Sequence, residues 1–238
     1  MTDPVAIERD GDVTVITLDD GKANALSFAV IDGLNDALAQ AESEALAVAL
    51  IGREGKFSAG LDLKVMTGGS DGARQLLASG ARLGLRIYMF GIPVVLGVTG
   101  HALAMGGILT TTADYRVGAE GSYKIGLNEV AIGMPVPTFG VELCRDRLAK
   151  AWFTRCVQHA HLCSPTEAVA AGFLDEVVAL EDVGARARAV AAQLAETVHP
   201  GPFKRTRQNI RSALAEQLRV GLDADMARFD VTSSAPAS

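Results

Sequence analysis

Apolar and polar residues alternate in two short segments at the start of the chain, residues 5–9 and 13–18. The alternation and the β-branched content predict two strands, and the Asp-Gly pair between them predicts a hairpin turn. Ser27 is a favourable N-cap residue for the helix that we predict over residues 28–41. The apolar positions of this helix recur at helical spacing on one face: Val30, Ile31, Leu34 and Leu38.

The rest of the chain alternates predicted strands with predicted helices, which indicates an α/β fold. The predicted strands cover residues 45–51, 93–98, 115–117, 123–125 and 175–178. The predicted helices cover residues 71–90, a segment from the glycine-rich turn at 100–107 to about 113, and residues 182–198 and 203–228. We divide the chain into a core over residues 1–180 and a helical region over residues 181–238. The small polar tail Val231 to Ser238 is expected to fray.

An uncharged stretch between Arg86 and Asp114 is long enough to cross a bilayer. It contains Pro93, five glycines, His101 and four threonines, a composition typical of turns and buried short elements. We therefore interpret it as a buried strand, a glycine turn and a helix, and we expect no membrane span.

The charge and cysteine content exclude several classes of protein. The net charge of −6, from 22 basic and 28 acidic residues, argues against a general nucleic-acid-binding protein. Cys144, Cys156 and Cys163 have no zinc-ligand neighbours and are expected to be reduced thiols. The N-terminus lacks the apolar stretch of a signal peptide, so we expect a cytoplasmic protein. The chain has four histidines, and two of them, His159 and His161, lie at i and i+2 on a predicted helix and do not share a face, so we expect no metal site.

Two turns made of small residues could carry the chemistry, Ser58 to Asp62 and Ala104 to Gly107. Small residues followed by the start of a helix leave backbone N–H groups that point at a ligand. Two such groups could converge on one oxygen that gains negative charge, which is an oxyanion hole. The alternative is that these glycines only permit tight turns.

Four segments carry a recognisable pattern in one order and spacing: Lys22-Ala-Asn-Ala-Leu-Ser27, Lys56-Phe-Ser-Ala-Gly-Leu-Asp-Leu-Lys64, Gly100-His-Ala-Leu-Ala-Met-Gly-Gly-Ile-Leu-Thr-Thr-Thr-Ala-Asp-Tyr-Arg116 and Ile125-Gly-Leu-Asn-Glu-Val-Ala-Ile-Gly-Met-Pro135. They resemble the early turn, the two oxyanion-donor segments and the catalytic-glutamate segment of the enoyl-CoA hydratase/isomerase (crotonase) family. The resemblance implies a ββα spiral core with two sheets packed roughly at right angles. It also implies C-terminal helices that build homotrimers or hexamers.

By the same resemblance, the backbone N–H groups of Leu61 and Met105 hold the thioester oxygen of an acyl-CoA substrate. Met105 stands where the family usually has glycine, so its side chain is expected to narrow or reshape the acyl pocket. The other expected substrate-binding residues are Ala59 near the adenine, Lys64 near a CoA phosphate, Gly106 and Ile108.

Three polar residues near these motifs have structural roles in this interpretation. Asp62 is expected to cap a short helix. Asp114 is expected to be a buried partner for backbone groups or for an arginine. His101 is expected to pack inside the glycine turn.

Glu129 is the catalytic residue that the resemblance implies. Hydratases of the family use two glutamates to position and activate water, and Ile108 stands where the first of them would be. One carboxylate can take a proton from C2 of a 3-enoyl-CoA and return it at C4. We therefore predict a Δ3,Δ2-enoyl-CoA isomerase, and Gly126-Leu-Asn-Glu129 is also similar to the corresponding stretch of mitochondrial isomerases of this kind.

Three alternatives stay open at this point. One is an enoyl-CoA hydratase of low efficiency, or one that uses a different second group. Another is a different thioester reaction of the fold, such as hydrolysis or decarboxylation, and the last is an acyl-CoA-binding protein without catalytic activity. In each case we expect no metal and no redox cofactor, since coenzyme A enters as part of the substrate.

Overall fold

The computed structural model describes residues 3–228, and its central layer is a six-stranded sheet. The strands are β1 (Val5–Asp10), β2 (Val13–Leu18), β3 (Ala25–Leu26), β4 (Ala47–Gly52), β5 (Gly55–Ser58), β6 (Gly60–Leu61), β7 (Val94–Val98), β8 (Gly100–Leu103), β9 (Tyr115–Ala119), β10 (Ile125–Gly126) and β11 (Glu176–Val178). The large sheet has the order β1-β2-β4-β7-β9-β11, in which β1 and β2 are antiparallel and the other pairs are parallel. Two smaller parallel sheets have the orders β10-β8-β5 and β3-β6.

The helices lie around these sheets. They are α1 (Phe28–Glu44), α2 (Leu63–Thr67), α3 (Ser70–Tyr88), α4 (Met105–Thr110), α5 (Thr138–Arg147), α6 (Lys150–Val157), α7 (Pro165–Ala171), α8 (Val183–Thr197) and α9 (Pro200–Arg228), with 3₁₀ turns at Val130–Ile132 and Leu180–Asp182. The predicted helices 28–41 and 71–90 are confirmed as α1 and α3, and Ser27 caps α1 by accepting a hydrogen bond from the N–H of Val30 at 3.3 Å. Helix α9 begins at Pro200, earlier than predicted, because proline is favoured in the first turn of a helix.

Alternate residues of the central strands face two separate hydrophobic layers, as the two-residue period of a strand requires. In β4, Ala47, Ala49 and Ile51 face one layer, and Val48 and Leu50 face the other. Helix α8 covers the first layer with small residues that allow close approach: Val183, Ala187, Val190 and Ala191. Helices α1 and α3 belong to the second, larger layer.

The predicted division of the chain at residue 180 stays a prediction. Helix α8 lies beyond that boundary and nevertheless packs directly on the central sheet. The predicted fraying tail, Val231 to Ser238, lies outside the described residues, as do the last residues of the predicted helical region.

The uncharged stretch between Arg86 and Asp114 forms β7, β8 and α4, which confirms the predicted strand and helix, while β8 occupies the first part of the predicted glycine turn. Within residues 3–228, no helix is long and apolar enough to cross a membrane. Strand β10 begins at Ile125 instead of residue 123, since the N–H of Lys124 donates to Nδ1 of His101 at 3.1 Å. The ring of His101 also contacts Tyr123 edge-on, so His101 packs in the turn as expected.

Asp114, immediately before β9, connects helix α9 to the core. Its carboxylate accepts a hydrogen bond from the N–H of Val94 at 2.8 Å and forms an ion pair with Arg207, which is only 5% exposed. Arg211 approaches the same carboxylate at 3.4 Å. The predicted structural role of Asp114 is therefore confirmed.

Replacing Asp114 by alanine should lower the free energy of unfolding by about 3–5 kcal/mol, because Arg207 would keep a buried charge without its partner. Denaturant unfolding measures this loss. Glu216→Ala is the matched control, since it removes one partner of the exposed Glu216–Arg219 ion pair and should leave stability nearly unchanged. Equal losses in the two variants would contradict the role assigned to Asp114.

Candidate active site

The first predicted donor turn joins β5 to α2 through the two-residue strand β6. Pairing of β6 with β3 places Leu61 beside Leu26. Asp62 is the N-cap of α2, and its carboxylate accepts a hydrogen bond from the N–H of Lys64 at 2.8 Å, which confirms the predicted capping role. Gly60 has φ of 92°, a conformation that favours glycine. The turn therefore presents the backbone of Leu61 at the start of a short helix.

The second predicted donor turn joins β8 to α4 through Ala104. This residue has φ of 51° and ψ of −124°, which is strained for a residue with a side chain and costs on the order of 1–3 kcal/mol. Met105 is the first residue of α4. Its N–H is among the first-turn groups of a helix that have no acceptor inside the helix. The strained turn thus places a backbone donor at the helix start.

The two turns contact each other through their backbones. A Cβ on Gly60 would lie 3.2 Å from the backbone nitrogen of Met105. A Cβ on Gly106 would lie only 2.4 Å from the carbonyl oxygen of Ser58. Glycine at these two positions therefore lets the two donor turns approach each other. As a result Leu61, the neighbour of Gly60, lies beside Met105.

Glu129 directly precedes the 3₁₀ turn that follows β10. Because β10 runs parallel to β8, it carries Glu129 to the same edge of the small sheet at which α4 begins. Glu129 is 8% exposed, and its Oε2 has no hydrogen-bond partner. Burial raises the pKa of the Glu129 carboxyl above its ordinary value, and the backbone N–H groups of Glu129 and Asn128 offset part of this rise. A raised pKa brings a carboxyl closer to the range useful for proton transfer at neutral pH.

A cavity of about 260 Å³ lies where these three segments meet. Its lining is Ala59, Leu61, Leu63, Met66, Leu77, Ala104, Met105, Ile108, Asn128, Glu129, Ile132, Met134, Pro135, Pro137 and Phe139. Among the described residues, Glu129 is the one carboxylate in this lining, and nearly all of its neighbours there are apolar. The site can therefore bind an acyl group beside a single desolvated carboxyl.

Most of the predicted site residues meet in this cavity. Those that line it are Ala59, Leu61, Met105, Ile108 and Glu129. Lys64 is exposed on α2 outside the lining, and its contact with a CoA phosphate stays a prediction. Gly106 is buried against Ser58, also outside the lining, so the structure gives it a packing role.

Three polar residues of the site were not among the predicted site residues. Asn128 lines the cavity, and its buried Oδ1 has no hydrogen-bond partner. Asn24 and Ser58 are fully buried in the segments that hold the first donor turn. Each lies inside one of the four motif segments. The signal that could have found them is an amide or hydroxyl side chain surrounded by small and apolar residues.

The part of the chain that the structure describes contains no group of three or more His, Cys, Asp or Glu side chains that could hold a metal ion. Cys144, Cys156 and Cys163 are buried free thiols. The absence of a metal or redox cofactor from the reaction stays a prediction.

Comparison with known sequences and structures decides the family. The profile of the enoyl-CoA hydratase/isomerase family matches residues 8–236. The chain belongs to this family. A solved structure of an enoyl-CoA hydratase/isomerase family protein from Pseudomonas syringae is 41% identical, with a TM-score of 0.92 over 95% of this chain and 98% of that chain. The predicted crotonase-like α/β fold is therefore confirmed.

Relatives of this hydratase/isomerase family member include proteins named as isomerases and proteins named as hydratases. The mitochondrial enoyl-CoA delta isomerase 1 of Rattus norvegicus is 29% identical over 232 residues, which cover 94% of this chain and 80% of the relative. A probable enoyl-CoA hydratase of Bacillus subtilis (strain 168) is 31% identical over 202 residues, which cover 81% of this chain and 76% of the relative. The protein is thus an enzyme of acyl-CoA thioesters. Its expected cytoplasmic location and its expected trimer or hexamer stay predictions.

Replacing Glu129 by glutamine should raise the free energy of unfolding at neutral pH, because the buried negative charge is removed while the shape is kept. A carboxyl whose pKa is raised on folding binds its proton more tightly in the folded state. The folded state therefore loses stability as the pH rises from the ordinary pKa of glutamate through the raised one. Denaturant unfolding at several pH values should give equal stabilities for the two proteins below the ordinary pKa of glutamate. Above that pH, the stability advantage of the glutamine variant should grow.

Glu120→Gln is the control for this pH series, since Glu120 is exposed. It should show no comparable growth with pH. A stability difference between glutamate and glutamine at position 129 that does not change with pH would contradict the burial argument.

Proposed function

We propose that this enzyme shifts the C3–C4 double bond of an enoyl-CoA to C2–C3, with Glu129 as its single acid and base. The observation that supports this reaction is the presence of one carboxylate, Glu129, among the described residues of the cavity lining. Ile108 lines the same cavity at the position where hydratases of the family have a further glutamate. Isomerisation requires one group that can move a proton between two carbons.

The proposed reaction has two proton transfers. The Glu129 carboxylate removes a proton from C2, and the electron pair of that C–H bond forms a dienolate whose charge collects on the thioester oxygen. The protonated Glu129 then returns the proton at C4. The electrons shift back, and the new C2–C3 double bond is conjugated with the thioester carbonyl. Protons and electrons balance within the substrate and Glu129.

The backbone N–H groups of Leu61 and Met105 would hold the dienolate oxygen. Contact between the two turns supports this assignment, since it brings both backbones to the same wall of the cavity. Removal of one donor from an oxyanion hole costs about 2.7–4 kcal/mol of barrier. The side chain of Met105 also lines the cavity and limits the space for the acyl chain.

The apolar lining supports Glu129 as the base. Side chains such as Leu77, Ile108 and Phe139 exclude water from the carboxyl and leave its charge poorly solvated. Exclusion of water also strengthens the interaction between the donors and a developing negative charge.

Glu129→Gln should lower kcat for isomerisation by about 10²–10⁴-fold, the usual contribution of a general acid–base group, and should leave acyl-CoA binding intact. The assay follows absorbance of the conjugated 2-enoyl product from a short and a medium 3-enoyl-CoA. Calorimetry with a saturated acyl-CoA checks binding. Retained turnover would contradict the proposal.

If the unmodified protein binds the ester without exchanging its C2 protons in deuterated water, it is an acyl-CoA-binding protein without this activity.

Enoyl-CoA hydratase activity is the second candidate, and Asn128 is the observation that favours it. Its Oδ1 is buried in the same cavity as Glu129 without a hydrogen-bond partner. Buried acceptors of this kind are usually satisfied by a water or a ligand. A water held by Asn128 and deprotonated by Glu129 would add to C3 of a 2-enoyl-CoA, and C2 would take up the proton.

Asn128→Leu separates the two reactions. If Asn128 holds the water, this change should lower formation of 3-hydroxyacyl-CoA about tenfold, the equivalent of one lost hydrogen bond, while isomerisation of 3-enoyl-CoA continues. Chromatography of the thioester products measures both rates. Hydration by the unmodified protein at the background rate would remove this candidate.

A further inference from the structure

Ser58 belongs to the first donor turn although it does not line the cavity. It is the last residue of β5 and is fully buried. Its hydroxyl donates to the carbonyl oxygen of Asn24 at 2.8 Å, and Oγ of Ser58 itself accepts a hydrogen bond from the N–H of Gly60 at 3.1 Å. Both hydrogen bonds lie inside the protein, so the hydroxyl fixes the backbone immediately before Leu61.

Ser58 also packs against the start of α4. A Cβ on Gly106 would lie 2.4 Å from the carbonyl oxygen of Ser58 and 2.9 Å from its Cβ. Gly106 directly follows Met105 in the chain. Ser58 therefore contacts one neighbour of each proposed donor, Gly60 before Leu61 and Gly106 after Met105.

Asn24 holds the acceptor of the Ser58 hydroxyl in place. It is fully buried and adopts φ of 51°. Its Nδ2 donates to the carbonyl oxygens of Leu18 (2.7 Å), Lys56 (3.1 Å) and Phe57 (3.2 Å). Its Oδ1 accepts a hydrogen bond from the N–H of Asp20 at 2.9 Å. A fully bonded buried amide of this kind is rigid, and it ties Ser58 to the ends of β2 and β5.

We propose that Ser58, anchored by Asn24, is a positioning residue that sets the separation and direction of the Leu61 and Met105 N–H groups toward the thioester oxygen. The inference rests on the proposed function because it takes these two groups as the oxyanion donors. Ser58 acts through the two turns, and a misplacement of about 1 Å at a catalytic group can cost about 100-fold in rate.

The test uses Ser58→Ala in the full chain. We expect kcat for isomerisation to fall about 10- to 100-fold with little change in KM, since the donors hold charge that develops in the transition state. We also expect a change in the infrared spectrum of bound hexanoyl-CoA labelled with carbon-13 at its thioester carbonyl. In the unmodified protein the donors should lower the carbonyl stretch, and in Ser58→Ala the stretch should return toward the value of the free ligand.

Two further variants separate positioning from stability. Thr99→Val removes a buried hydroxyl that donates to the carbonyl oxygen of Arg53 at 2.6 Å, at the opposite end of β8. It should lower stability and leave kcat and the carbonyl stretch unchanged. Ser58→Cys fills the site with a thiol that is a weak donor and acceptor, so both readouts should fall between serine and alanine. If Ser58→Ala does not fold, Ser58→Cys carries the test.

The outcomes distinguish this inference from the proposed reaction. An unchanged kcat and carbonyl stretch in Ser58→Ala, or equal changes in Thr99→Val, would overturn the role of Ser58. If the unmodified protein lowers the carbonyl stretch but does not isomerise 3-enoyl-CoA, the proposed reaction fails and the positioning role stands. If it does not lower the stretch, the donors are overturned together with the role of Ser58.

Discussion

The site depends on a close contact between two backbone turns, and that contact requires positions without side-chain bulk. Gly106 lies so close to Ser58 that no Cβ fits between them, and a Cβ on Gly60 would stand 2.9 Å from the Cβ of Ala104. Pairing of β5 with β8 brings these turns together, and pairing of β8 with β10 adds Glu129. Because all three strands are parallel, the groups that follow them meet at one edge of the small sheet.

Two features that lower the stability of the fold lie where these segments meet. Ala104 adopts a strained backbone conformation, and Glu129 is a buried carboxyl with an unpaired oxygen. Each of them lowers the stability of the fold, so the surrounding structure must compensate. The central sheet, covered on one face by α8 and on the other by α1 and α3, supplies the apolar burial, and the pairing of Asp114 with Arg207 fixes α9 to it.

The long elements and the motif positions could be predicted from the sequence because their signals are local. The apolar period of α1 and the buried run of β4 are examples. The sequence predicts no strand at β5, β6 or β8, since two to four residues are too short to show a period. The role of Ser58 could not be predicted because its hydroxyl bonds to Asn24, which lies 34 residues away in the chain. Partners of this kind are known only once the strands have paired.

Ile108 shows how the choice of reaction is tied to packing. Its Cδ1 lies 2.7 Å from the place where a Cβ on Gly140 would stand, so α5 approaches α4 through a glycine. The isoleucine is therefore part of a closed apolar wall. A glutamate at this position would have to lose its hydration and would add a second negative charge to the cavity that already holds Glu129, which would raise the pKa of both carboxyls. A two-carboxylate site thus requires a different wall between α4 and α5, and the wall that is present favours chemistry that one carboxylate can perform.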